Sequence, residues 1–386
     1  MRELDYHYNK TKMKIAFVHD WFKANGGAEK VAGEILDVYE GEDVTVYTLF
    51  NKFNESDRKE ILKDHVVKTS LMQYIPFVSK IYRYMLPVMP WLMKQFRLKN
   101  YDLVLSTSHA VAKGIGADPS ILNICYCHSP MRYVWDMYDD YVAHHAVGKF
   151  FLYKWFIHYI RKWDLKTAGN VHYFIANSEH VRRRIMASYN RDAKVIYPPV
   201  RTNKFALYEG ERKDYYLCLG RFVPYKKIDM IVRAFQQMPD KKLVLIGEGY
   251  GTKQFTEILE HSKNIEWLGY RKDEEMIRYI QEAKACLFAA KEDFGILCVE
   301  VQSCGTPVIA LDYGGYTETV NDGVSGYLFP EQDEESLIAA VNKFEQRPLT
   351  DHKAIRDNSL RFSDERFRQE LKQYVDECYK TFYGRK

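Results

Sequence analysis

Short apolar runs that each lead into a turn and then a helical stretch occur twice along this chain, and the pattern restarts after Tyr197-Pro-Pro-Val200. The first run is Lys14-Ile-Ala-Phe-Val-His19. It is followed by a turn holding Gly26-Gly27 and by helical periodicity from Ala28 to Tyr39. Val44–Leu49, Asp102–Thr107, Asn123–Cys127 and Tyr173–Asn177 read as further buried strands, with Ser178 where a helix N-cap belongs. Beyond the two prolines, which end an element and stiffen a connection, come Tyr215–Leu219, Lys242–Ile246, Ile265–Leu268, Ala285–Ala289 and Pro307–Ala310. Strands alternating with helices call for parallel, doubly wound sheets. The expectation is an α/β chain of two Rossmann-like domains, at 13–199 and 200–361, with a polar extension at 1–12 and a C-terminal helix in 362–386.

A length of 386 residues suits two such domains. No segment reaches about 18 uncharged apolar residues, so no membrane-crossing helix is expected. The first twelve residues lack the apolar centre of an export signal. Seven scattered cysteines therefore read as reduced core thiols. Cys125-Tyr-Cys127 is not a zinc spacing, and no metal or other cofactor is expected. Charge is uneven: residues 1–200 carry a balance of +7 and the remainder −3. A basic first half suggests an anionic partner for it, and nothing points to nucleic acid.

The strongest local signal is Glu292-Asp-Phe-Gly-Ile-Leu-Cys-Val-Glu300, which leaves a strand and opens a helix. Gly295 permits a tight turn. The N–H groups of the helix start suit a phosphate or a sugar hydroxyl. Glu292 and Glu300 would then face one crevice at the carboxyl edge of the sheet. The plain alternative is a capped surface helix with solvated acids. Gly220-Arg221-Phe-Val-Pro-Tyr-Lys226-Lys227 exits another strand and puts two cations at the same edge, a combination suited to a diphosphate. A solvated basic loop is the alternative there.

Gly26-Gly27 lets backbone N–H groups approach an anion, or makes a simple tight turn. Gly247-Glu-Gly249-Tyr-Gly251 is only a loose version of a dinucleotide fingerprint, with its third glycine misplaced. His128 closes the strand Asn123–Cys127 and is positioned either for a cleft or as a buried structural histidine. His109 carries the same ambiguity. Asp136-Met-Tyr-Asp139-Asp140 reads as structural rather than as a metal cluster.

In order and spacing these phrases resemble the retaining GT-B glycosyltransferases of family 4. The resemblance rests on Glu292…Glu300, Gly-Arg-Phe…Tyr-Lys-Lys, Cys-Gly-Thr-Pro-Val-Ile-Ala, Gly-Gly-Tyr-Thr-Glu-Thr-Val and Asp322-Gly-Val-Ser-Gly-Tyr-Leu-Phe329. His-Asp-Trp…Gly-Gly-Ala-Glu and Cys-His-Ser-Pro-Met-Arg-Tyr-Val-Trp-Asp resemble a bacterial subgroup rich in mannosyltransferases of surface-polysaccharide assembly. The resemblance implies a donor/acceptor cleft between the two domains, a nucleotide-diphosphate sugar as donor and no metal. Arg221 and Lys226 would bind the diphosphate as it leaves. Glu300 would hold the ribose, and Glu292 the transferred sugar with the N–H groups of Gly295, Ile296 and Leu297. Gly26 and Gly27 would close on the phosphate, and His128 would lie near the reacting sugar. Asp273, in the loop Tyr270–Asp273, would approach the base. Related mannosyltransferases often add a Lys there, where this chain has Met276. GDP-mannose is the first donor expected and a UDP-sugar the alternative. A nucleotide-sugar epimerase, a phosphorylase or a non-catalytic sugar or lipid binder are remoter readings.

Residues 65–101 contain no acid but carry Lys80, Arg83, Lys94 and Arg97 among aromatic and aliphatic residues. Pro76, Pro87 and Pro90 break the stretch, so it cannot span a bilayer. Residues 141–163 repeat the character. Basic and aromatic residues together suit an anionic lipid surface, although the same pattern also serves ordinary core helices. The expectation is a cytoplasmic enzyme, peripheral at the inner face of the cell membrane, acting on a polyprenyl-diphosphate-linked saccharide.

Overall fold

The computed structural model describes residues 12–132, 134–135, 150–249, 259 and 262–384. The acid cluster Asp136–Asp140, the start of the 141–163 segment and Gly251 lie outside these residues. The chain divides into two compact units. Unit 1 takes 1–177, 181–196 and 368–386, and unit 2 takes 178–180 and 197–367.

Unit 1 is built on a seven-stranded parallel sheet. Its strands are β1 (Lys14–His19), β2 (Asp43–Thr48), β3 (Val66–Thr69), β4 (Leu103–Ser108), β5 (Leu122–Cys127), β6 (Tyr173–Ala176) and β7 (Ala193–Val195). They lie in the order β3-β2-β1-β4-β5-β6-β7. β4 and β5 are buried along their whole length, the polar Ser106, Thr107, Ser108 and Asn123 included. β3 and β7 escape a sequence reading: β3 alternates exposed and half-buried residues, and β7 has three residues. Helices α1 (Gly27–Val38), α2 (Phe150–Ala168) and α3 (Glu179–Tyr189) follow their strands. Ser178 stands directly before α3. Its hydroxyl donates to the carbonyl of Asp293 at 2.7 Å, and the carboxylate of Glu318 takes the N–H groups of Glu179 and His180 at 2.8 and 2.9 Å.

Unit 2 repeats the topology with six parallel strands, β8 (Tyr216–Leu219), β9 (Leu243–Ile246), β10 (Ile265–Trp267), β11 (Ala285–Phe288), β12 (Val308–Leu311) and β13 (Gly326–Phe329). Their order is β10-β9-β8-β11-β12-β13. The helices are α4 (Ile228–Gln236), α5 (Asp273–Glu282), α6 (Ile296–Ser303), α7 (Glu334–Gln346) and α8 (His352–Leu360). A final helix, α9 (Asp364–Tyr383), runs into the segment that returns to unit 1. There Arg368 pairs with Glu34 at 2.6 Å, and the Tyr383 hydroxyl donates to the carbonyl of Asp102 at 2.8 Å.

All seven cysteines are buried free thiols. Among the described residues, no helix is long and apolar enough to cross a membrane.

Candidate functional site

In unit 2 the strand order reverses between β8 and β11. The carboxyl ends of the strands on either side of such a reversal leave a crevice that open parallel sheets use for ligands. β8 exits into Gly220-Arg221, and a single 3-10 turn, Pro224–Lys226, carries Lys226. β11 exits into Glu292 and Gly295. The two exits meet: the Lys226 ammonium donates to Oε1 of Glu292. Both side chains are half-buried, at 23% and 18% exposure. Burial alone would lower the Lys226 pKa, but the Glu292 carboxylate outweighs it and the net shift is upward. Arg221 is close enough to oppose that rise, while its own side chain is exposed.

Gly295 begins α6 in the left-handed conformation, at φ 86°. A Cβ there would sit 2.6 Å from the Tyr316 ring, so glycine is required both by the backbone and by the close approach. The N–H groups of Ile296 and Leu297 have no acceptor within the helix, as at any helix start, and both residues are half-buried. Glu300 lies one turn deeper and is buried. Asp273, at the start of α5, is tied to Lys204 at 2.5 Å, beside the exposed Tyr270.

The loose dinucleotide motif has a packing role. A Cβ on Gly247 would fall 1.9 Å from the Gly220 carbonyl, and one on Gly249 would fall 2.1 Å from that of Phe222. The Phe222 N–H donates to the Glu248 carbonyl at 2.9 Å. These glycines let the β9 exit press against the β8 exit and fix the turn that bears Arg221.

Unit 1 reverses its strand order between β1 and β4. Gly26 caps α1 with an extended backbone, and the Glu29 carboxylate lies close over it. Three imidazoles gather at the ends of adjacent strands: His19 as the last residue of β1, His109 after β4 and His128 after β5. His109 stands 6.4 Å from His19 and 6.3 Å from His128, ring centre to ring centre. Burial, and then the neighbouring His109, push His128 down to about 3 and hold His19 well below the usual range. The fully buried Asp20 accepts backbone N–H groups from His109, Ala110, Val111 and Ala112 at 2.6–3.0 Å. Sequence reading missed Asp20 and His19. The available signal was their position at the exit of the first strand, which Gly220-Arg221 repeats in unit 2.

Lys80, Arg83, Lys94 and Arg97 are all exposed. The apolar residues between them divide. Met72, Val78, Tyr82, Leu86, Met89 and Leu92 are buried in the core, while Tyr74, Phe77, Tyr84 and Trp91 are 80%, 74%, 85% and 59% exposed. In α2, Ile157 and Ile160 face the core and Trp155 is exposed.

Two Rossmann-like units with parallel sheets, each reversing its strand order at a central crevice, define the GT-B architecture. Residues 25–204 match the Glycosyltransferase Family 4 family and residues 200–361 the Glycosyl transferases group 1 family. Taken together the matches span most of the chain, which belongs to the GT-B glycosyltransferases of this group 1 and family 4 type. An uncharacterized glycosyltransferase of Methanocaldococcus jannaschii is 29% identical over 49% of the chain and 54% of its own length. A D-inositol 3-phosphate glycosyltransferase of Mycobacterium sp. (strain KMS) is 26% identical over 49% of the chain and 48% of its own length. The chain thus spans about half the length of the curated relatives it matches. Among solved structures, sucrose-phosphate synthase of Thermosynechococcus elongatus aligns over 96% of this chain and all of its own, at TM-score 0.72 and 17% identity. Anabaena HepE, in complex with UDP-glucose, aligns over 94% of this chain and all of its own, at TM-score 0.69 and 18% identity.

Proposed function

We propose that this chain is a retaining hexosyltransferase that takes a sugar from a nucleotide-diphosphate donor, with mannose from GDP-mannose as the first choice. The observation that carries the reading is the meeting of Lys226 and Glu292 beside Arg221 and the start of α6. An incoming diphosphate takes Arg221 and Lys226 and releases Glu292 to the hydroxyls of the transferred sugar. The N–H groups of Gly295, Ile296 and Leu297 share that task, and Glu300 holds the ribose. The acceptor oxygen attacks from the face the diphosphate leaves, and the diphosphate takes its proton. Configuration is retained without a protein nucleophile, and two cations with a helix start stabilise the leaving group in place of a metal. A UDP-sugar is the second reading of the donor, favoured by Met276 standing where related mannosyltransferases often carry Lys.

The acceptor in this reading is a polyprenyl-diphosphate-linked saccharide, met by an enzyme peripheral to the inner face of the cell membrane. Exposed Tyr74, Phe77, Tyr84 and Trp91 among exposed Lys80, Arg83, Lys94 and Arg97 support it, since such a surface suits anionic lipid. Two measurements test the whole. A thermal-shift comparison of GDP with UDP, followed by transfer of labelled sugar, tests the donor. No shift with any nucleotide diphosphate would overturn the transferase reading. Co-sedimentation with vesicles containing phosphatidylglycerol tests the membrane. Binding should fall with salt and with serine at the four bases, and indifference to these vesicles at low salt would remove that part.

A further inference from the structure

Residues 178–180 belong to unit 2, although the chain on either side of them belongs to unit 1. They meet two loops at the carboxyl edge of the unit 2 sheet. One is the β11 exit, which carries Glu292, and the other is the β12 exit, which leads into the helical turn Tyr316–Thr319. Hydrogen bonds close the three segments into a clasp. The Ser178 hydroxyl donates to the Asp293 carbonyl at 2.7 Å. The Gly315 N–H donates to the Glu292 carbonyl at 2.9 Å. The Glu318 carboxylate accepts the N–H groups of Glu179 and His180 at 2.8 and 2.9 Å. The consecutive carbonyls of Glu292 and Asp293 are thus each held by a different segment.

Packing leaves the clasp little slack. Ser178 is fully buried. A Cβ on Gly314 would fall 2.1 Å from the Glu292 carbonyl oxygen, and one on Gly315 would fall 2.1 Å from the Phe294 Cα. The His180 ring lies 5.2 Å from that of Tyr313, and its Nε2 stands 3.9 Å from Asp293 Oδ1. The Glu292 carboxylate itself ends on Lys226. A side chain that is to exchange this lysine for a sugar hydroxyl keeps its aim only if its backbone stays fixed, and a shift of about 1 Å can cost about 100-fold in rate. Docking of α3 is served by Glu318, and it does not call for a buried hydroxyl spent on the carbonyl next to Glu292.

We infer that Ser178 and Glu318 are positioning residues of the glycosyl-transfer site. They act through the backbone of Glu292 and Asp293 and fix the Glu292 carboxylate towards the transferred sugar. This rests on the proposed contact between Glu292 and that sugar. The test compares GDP with GDP-mannose, and UDP with UDP-glucose, by calorimetric titration of the full chain. For the pair that the wild type binds, Ser178→Ala should leave the diphosphate Kd unchanged, because Arg221, Lys226 and Glu300 keep their places. It should weaken the nucleotide sugar about fivefold, the scale of one lost hydrogen bond. Release of free sugar from the donor should fall about 10- to 100-fold in kcat. Glu318→Gln keeps one of its two acceptor oxygens and should show a smaller loss of the same kind. Ser178→Thr keeps the hydroxyl and should restore the wild-type ratio of the two affinities. A purely structural role would weaken both ligands alike or neither, and either result overturns the inference. Hydrogen exchange over residues 313–319 follows the clasp without any ligand, and it should quicken about tenfold in Ser178→Ala. Unchanged exchange also overturns the inference. Wild type that binds none of the four nucleotides, with quickened exchange in Ser178→Ala, keeps the clasp and overturns the transferase reading instead.

Discussion

Lys226 donates to Glu292, so the cation and the acid that the sequence singled out at this crevice are partners of each other. An incoming diphosphate must compete with that carboxylate. Lys226→Ala and Glu292→Ala should each lower turnover by about 100- to 1000-fold, the scale of losing one preorganised charge contact. Because both side chains are partly solvated, unfolding stability should change by only about 1 kcal/mol. Glu292→Gln should bind nucleotide diphosphate at least as tightly as wild type, since its lysine is released. Calorimetric titration checks this, and weaker binding would contradict the competition.

Gly295→Ala should cost about 1–3 kcal/mol, because the residue is held at positive φ and the added methyl meets the Tyr316 ring. Urea unfolding measures it. Activity should fall with stability, since relief of the clash moves the start of α6.

Acid should weaken the fold through its histidines. His128 has a native pKa of about 3, and His19 is also depressed, in both cases chiefly by burial. Between about 6.5 and the native value, only the unfolded chain takes up the proton, so stability falls as pH drops through that window. Melting temperature followed from pH 7 to pH 4 should show this fall. In His128→Gln the slope should be shallower, and an identical slope would count against the buried imidazole.

Lys113→Met should destabilise unit 1 by about 3–5 kcal/mol, the range for breaking one side of a buried ion pair. Among the described residues, the Asp164 carboxylate would keep the Trp135 indole N–H at 2.9 Å and the Tyr189 hydroxyl at 2.7 Å. Removing Asp164 at the same time, as Lys113→Met with Asp164→Leu, should recover part of the loss in a denaturant titration.

Transfer activity should survive excess EDTA, because the reading gives leaving-group stabilisation to Arg221, Lys226 and the start of α6. Activity lost on chelation and restored by magnesium or manganese would refute that assignment.

The parallel sheets were legible because β8, β9, β11 and β12 are buried along their length and appear as unbroken apolar runs, and because β4 and β5 open on apolar residues. The unit 2 crevice was legible for a related reason: its charged residues follow those runs immediately. What the sequence concealed depends on contacts distant along the chain. Asp20 is one acid in a turn until the N–H groups of residues 109–112 converge on it. The N–H groups of Glu179 and His180 at the start of α3 go to Glu318, far along the chain. The 65–101 segment gives one amphipathic pattern, and only the packing separates Tyr82 and Leu86, which fill the core, from Tyr74 and Tyr84, which face outward.

The return of residues 368–384 to unit 1 also governs the order in which the protein can mature on the ribosome. Residues 197–367 form an uninterrupted block and can fold as soon as they emerge. Unit 1, although translated first, is complete only once Arg368 reaches Glu34 and Tyr383 reaches Asp102. The nascent first half therefore spends the whole synthesis of the second with its last helix missing.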